Sequence, residues 1–175
     1  MITTAYLQAE TDVRSYLADF RDADKFLGFC RQCRNYGLRY GCPPLDYDVP
    51  EKLARYSRIR ITGVKIIPQE KGLPLSSADS LMAPVVLQMN RELLEQERQL
   101  QGFACGFVGT CPYCDIPCAR RDGQPCRHPD LVRPSLEALG FDVSKTAKLL
   151  LGEKILWSHD NLLPDYLLLV CGLFF

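Results

Sequence analysis

The chain has no excess of charge, nothing in its first residues expected to mark it for export and no apolar run long enough to cross a bilayer as a helix, and each absence argues against a class of function. Lys+Arg and Asp+Glu both number 21, so no net field draws it to nucleic-acid phosphates or anionic lipid. Residues 1–10 offer neither a basic n-region nor a continuous apolar h-region, and the expected location is cytoplasmic. The longest apolar stretch, residues 166–175, is about half the roughly 20 residues of a spanning helix and reads as a core strand. The phosphate loops G-x-G-x-x-G and Walker A, the G-x-S-x-G elbow and H-E-x-x-H are all missing. Nucleotide binding and hydrolase chemistry therefore have no local support. Without repeats, low-complexity tracts or linkers, 175 residues at 47% hydrophobic content read as a single domain over residues 1–175 with an ample core.

What the chain does have is cysteine, nine in all. In a reducing compartment that number points to metal binding or catalysis rather than to a disulfide framework. Cys111, Cys114, Cys118 and Cys126 stand in C-P-Y-C-D-I-P-C-A-R-R-D-G-Q-P-C, four thiols in sixteen residues. This is the heart of a cysteine-rich metal-binding loop over residues 105–129. Structural zinc sites usually pair two C-x2-C knuckles across a dozen or more residues. The spacing C-x2-C-x3-C-x7-C is closer to loops that curl round a cubane cluster. A [4Fe–4S] cluster therefore stands ahead of zinc as the cofactor, with a thiol redox role third.

Cys30, Cys33 and Cys42 form a second group, C-x2-C-x8-C, with no local fourth ligand. Cys105 and Cys171 are the unassigned thiols, and either could complete it through space. For Cys171, inside the apolar run, a core position is the better reading, because free cysteine is among the most buried residue types. Without a fourth thiolate, one iron would stay open to a small ligand and could act as a Lewis acid, whereas a fully ligated cluster suits electron transfer. Catalytic residues cannot be assigned from this pattern. His128, two residues after Cys126, suits a hydrogen bond to the centre better than ligation, since four thiols are already at hand. His159 reads as a polar turn residue. Arg31, Arg34, Arg39, Arg120, Arg121 and Arg127 flank the thiols and would offset the negative charge of a thiolate-bound centre. Glu137 fits the first turn of a helix and reads as structural.

The hydrophobic periods predict strands over residues 5–9, 59–67, 103–108, 155–157 and 166–174. Helices are expected from Asp12, from Asp24 as N-cap, and over residues 49–56, 79–100, 134–139 and 143–151. The fold class is an α/β (α+β) sandwich, a mixed sheet packed by helices with the cysteine-rich loops at its edge.

Combined, these motifs resemble a known family. Its pattern has Cys30, Cys33, Tyr36 and Gly37 followed by Cys42-Pro43-Pro44. Then come Gly109 with Cys111, Cys114 and Cys118, then Cys126-Arg127 with Pro129, and last the stretch from Arg133 to Val143. The chain resembles the family of predicted metal-binding proteins of unknown function. The resemblance implies a cytoplasmic protein with seven motif cysteines, Cys30, Cys33, Cys42, Cys111, Cys114, Cys118 and Cys126, as presumed ligands of iron–sulfur or other metal centres, and it carries no reaction. Cys105 and Cys171 lie outside its pattern. The functional expectation is one or two [4Fe–4S] clusters passing electrons to a redox partner protein. Against it stand an enzyme or accessory factor with an open iron at the Cys30 group, and a structural zinc module for protein interaction. No nucleic-acid or membrane partner is expected.

Overall fold

The computed structural model describes residues 1–107, 109, 111–114 and 116–175. Its centre is a four-stranded sheet in the order β1-β2-β4-β3, with β1 spanning Ile2–Asp12, β2 Arg58–Pro68, β3 Phe103–Cys105 and β4 Leu167–Phe174. All three ladders are antiparallel. Where the sequence reading expected a mixed sheet, the parallel element is one isolated bridge, Gly106 to Ser135. The α+β class follows from this arrangement of sheet and helices. β2 is central because alternate residues on both of its faces are apolar: Ile59 and Ile61 point to one side, Val64 and Ile66 to the other, all 0% exposed.

Each face is closed by a different set of elements. On one side Tyr16 and Phe20 of α1, Val13–Phe20, pack with Leu53 of α3, Val49–Leu53, and with Val143 and Ala147 at and beyond α5, Val143–Thr146. On the other, Val85, Met89 and Leu93 of α4, Ala78–Leu100, cover Val64, Ile66, Cys171 and Leu173. Their spacing is the i, i+4, i+8 stripe of an amphipathic helix. Pro84 lies inside α4.

Several expectations change at element ends. β1 is longer than residues 5–9 because the whole of Ile2–Asp12 pairs with β2, and that pairing orders Thr3 and Thr4, which carry no apolar signal. Asp22, not Asp24, caps α2, Ala23–Arg31: its carboxylate accepts the Lys25 amide at 3.1 Å, and Asp24 falls in the first turn. Residues 155–157 are not a strand, since no neighbouring strand offers them a ladder, and Trp157 is 76% exposed. The expected helix over 134–139 is reduced to a 3-10 turn, Glu137–Leu139, because Pro134 and Ser135 are used in pairing with Gly106. α5 likewise relaxes into a π turn over Ala147–Leu151 before Gly152. The strand expected over 103–108 is three residues long, and its far end, Val108, lies outside the described residues. No helix among the described residues is long and apolar enough to cross a membrane.

Candidate metal centre

The first thiol group grows out of α2. Cys30 sits in its last turn, and the chain continues by tight turns, with the Cys33 amide donating to Cys30 O and the Tyr36 amide to Cys33 O, each at 3.0 Å. The Gly37 amide then reaches Pro43 O at 2.8 Å, which folds residues 37–43 back on themselves. Gly41 is required at its position: φ is 84°, and a Cβ there would come within 3.0 Å of Arg133 O. The absence of a side chain lets the first loop lie against the segment that follows the second.

The second group leaves from β3, the edge strand opposite β1. Cys111, Cys114, Cys118 and Cys126 lie on a stretch whose regular structure is one 3-10 turn, Ala119–Asp122, closed by Gly123 with φ 65°. Asp115, inside it, is outside the described residues. Ala119, 2% exposed, anchors this turn.

All nine cysteines are free thiols. They divide sharply by environment. Cys105 and Cys171 are 0% exposed, the first in the core on the α1 side of the sheet, the second in the core beneath α4. The expectation that Cys171 is a core residue holds, and Cys105 shares that position. Both are packed in the core rather than carried on the thiol loops. The other seven are half-buried, except Cys33, which is exposed.

Electrostatics ties each group together. Burial pushes the Cys111 thiol up, the Tyr113 amide opposes this, and the neighbouring Cys114, Cys118 and Cys126 push it up further. Burial also raises Cys30, followed by Cys42, Cys33 and the Glu137 carboxylate. Cys42 is raised by burial and by Cys33, eased by the Arg39 and Arg120 guanidinia, and raised again by Cys111 of the other group. Burial first, and like neighbours after it, favour the protonated thiol at these positions. Among the described residues, no three His, Cys, Asp or Glu side chains stand in an arrangement that would hold a metal ion.

The surroundings nevertheless fit a thiolate-bound centre. Two cysteines receive a backbone amide from two residues on: Asn35 N to Cys33 Sγ at 3.5 Å and His128 N to Cys126 Sγ at 3.4 Å. Such N–H···S contacts favour the anionic sulfur that metals and clusters require. Arg39 Nε is buried without a partner, the one such side-chain N or O among the described residues. A buried guanidinium donor beside Cys42 calls for an anionic acceptor, which a thiolate-ligated centre would supply. Soft thiolates are the donor set for zinc and for iron–sulfur clusters alike.

The remaining candidates separate by what they touch. Arg127 Nη1 donates to Pro117 O at 3.1 Å, inside the second loop. His128 contributes its backbone amide, and its ring stands against Tyr113 at 6.5 Å between centroids. His159 closes a turn, its carbonyl accepting the Leu162 amide at 2.8 Å. Two features escape sequence reasoning. Arg120 reaches from one thiol loop to the other. Glu97 of α4 grips Arg133 and the Ala104 amide at 2.6–3.0 Å, pinning the exit of the second loop to the helix. Neither pairing has a local spacing that would announce it.

No curated protein and no solved structure matches the chain. Over residues 17–170, which take in both thiol groups and the sheet strands β2 and β3, it matches the family described as "predicted metal-binding protein (DUF2284)", and it belongs to that family.

Proposed function

We propose that the protein is an iron–sulfur protein that carries a [4Fe–4S] cluster on Cys111, Cys114, Cys118 and Cys126 and a second centre on Cys30, Cys33 and Cys42, and that it transfers electrons to a partner protein. The observation that carries this reading is the second loop. It has four thiols on an irregular, proline-rich segment, the other three raising Cys111, with the His128 amide aimed at the sulfur of Cys126. A bound [4Fe–4S] cluster would supply one-electron storage there. The protein's own part is to hold four thiolates and to keep water partly away by half-burying the sulfurs, while Arg39 and Arg120 offset charge at Cys42 of the first group. A fully thiolate-ligated site has no open position for substrate, which suits electron transfer.

A second reading draws on the first group. It has three thiols of its own, and Cys105 and Cys171 are enclosed in the core. An iron held there would keep an open position, and the protein could then act as an enzyme or accessory factor that binds a small ligand. The deciding experiment is anaerobic purification with iron, zinc and acid-labile sulfide analysis and electron paramagnetic resonance. Iron with matching sulfide and a reducible cubane signal is the expected result. A colourless protein with zinc and no sulfide overturns the proposal in favour of a structural zinc module. Added cyanide or a thiol that perturbs the resonance of only the Cys33-dependent centre would select the open-iron reading.

A further inference from the structure

Arg120 lies two residues beyond Cys118, inside the second loop, yet its side chain is spent on the first. Nη1 donates to the carbonyls of Arg39 at 2.8 Å and Cys42 at 2.6 Å, and Nη2 to that of Pro44 at 2.6 Å. One guanidinium thus gathers three carbonyls of a neighbouring loop, and one of them belongs to a thiol-bearing residue. The guanidinium also lies over the Tyr40 ring, 5.7 Å from its centroid. Tyr40 returns the contact, its hydroxyl donating to Gln124 O at 2.8 Å. Both strands of this clasp join residues 39–44 to residues 120–124, the segment between Cys118 and Cys126.

The physical consequence is linkage. Arg120 stands on the Ala119–Asp122 turn between Cys118 and Cys126, so a centre held by those two thiols would fix the turn from both of its ends. The first loop takes its shape from Arg120. Ordering one loop therefore lowers the conformational entropy that must be lost to order the other. Such a coupling free energy is the same read from either side.

We infer that the two thiol groups form one cooperative unit, in which Arg120 is the positioning residue that makes metal binding at Cys111, Cys114, Cys118 and Cys126 favour metal binding at Cys30, Cys33 and Cys42, and the reverse. This rests on the reading that both groups take metal. Lysine cannot substitute for the arginine, because a single ammonium does not span three carbonyls as a planar fork does.

The test uses Zn2+ as the probe, titrated anaerobically into the metal-free full chain against a chromophoric chelator. Cys33→Ser leaves only the second group and Cys114→Ser only the first. The wild-type constant for two ions is expected to exceed the product of the two single-group constants by about tenfold. Arg120→Ala and Arg120→Lys should each bring that factor to about one while both groups still bind. Hydrogen exchange at residues 37–44 gives a readout that needs no metal at the first group. In Cys33→Ser it should slow when the second group binds Zn2+, and in Cys33→Ser combined with Arg120→Lys it should not. A wild-type constant equal to the product overturns the inference without any Arg120 variant. So does a factor that survives both substitutions. Either result leaves the two-centre reading standing, whereas a chain that holds neither Zn2+ nor reconstituted iron at either group removes both.

Discussion

The sheet core and the thiol loops of this protein are held together by different physics. In the core, Tyr16 stacks on Phe141 at 4.5 Å and on Phe20 at 5.0 Å, with Phe174 tilted against both Tyr16 and Phe141. Order there comes from apolar area removed from water. Around the thiols the contacts are amide-to-carbonyl turns, N–H···S contacts and one arginine clasp, on side chains that are half-exposed. The core is complete by itself. The loops, by contrast, leave a polar group unsatisfied: Arg39 Nε is buried and unpaired among the described residues. The cysteines make the same division visible within one residue type, since two are packing residues and seven are exposed to chemistry.

That division sets up the largest expected effect. The thiolate is the reactive form of cysteine. Burial pushes Cys171 up to about 12, and Cys105 well above its ordinary range. At pH 8 the thiolate fraction of Cys171 is then about a thousandfold below that of an ordinary thiol, and closure of the core restricts access as well. Iodoacetamide on metal-free protein, followed by peptide mass spectrometry, should label the seven loop cysteines, Cys33 first, and leave Cys105 and Cys171 untouched until denaturant is added. Early labelling of Cys171 would erase the distinction between the two environments.

Next in size is a pair of substitutions, one in each region. Phe141→Ala removes a ring that is 0% exposed and stacked on Tyr16. It should cost about 3–5 kcal/mol, a large share of the roughly 5–15 kcal/mol that a domain has in total. Cys114→Ser should change the stability of the metal-free protein by no more than about 0.5 kcal/mol, and lower metal content instead. Urea denaturation of both variants checks this. A Cys114→Ser protein that loses its sheet cooperatively would mean that the loop is part of the core.

Between the two regions lies the Glu97–Arg133 pair, with side chains 12% and 22% exposed. Glu97 accepts three arginine contacts and the Ala104 amide, so it joins α4, β3 and the exit of the second loop. Glu97→Gln keeps the shape but loses the charge-assisted bonds and should cost about 2 kcal/mol. The sharper expectation is where the loss appears. Hydrogen exchange should rise at residues 103–106 and 131–135 and stay unchanged in β1, which pairs in the sheet with β2 at the edge opposite β3.

Legibility in the sequence follows the same boundary. α1 announces itself through Asp12 and the Val13, Tyr16, Phe20 stripe; it begins at Val13, with Asp12 as its cap accepting the Ser15 amide at 2.8 Å. β2 and β4 are likewise visible as apolar runs. What could not be seen depends on partners distant in sequence. Thr3 is in a strand because Ile67 lies opposite it, and residues 155–157 are not because nothing does. At the candidate centre the seven thiols stand out by spacing alone. Six arginines near them looked alike, and only the folded chain distinguishes Arg120, whose carbonyl partners lie 76–81 residues away, from Arg127, which stays at home on Pro117.

The smallest expected effect concerns Glu137, which lies where the two regions meet. It opens the 3-10 turn that packs on α2, its charge raises Cys30, and it has no ion-pair partner among the described residues. Burial holds its carboxyl above the ordinary carboxylate range, opposed by its own amide and by Ser135. For an acid raised in the folded state, the neutral form is the comfortable one. Its stabilising contribution is therefore complete below the unfolded value of 4.5 and is lost as the pH climbs through the higher folded value. Glu137→Gln keeps the size and the hydrogen-bonding capacity but cannot ionise. In urea denaturation of the metal-free protein it should be more stable than wild type at pH 7, by up to about 1 kcal/mol, with the gap closing near pH 4. A variant that is less stable at pH 7 would mean that the charge of Glu137 is matched inside the protein, and that the thiol side of the molecule contributes more to the order of the core than the division between them allows.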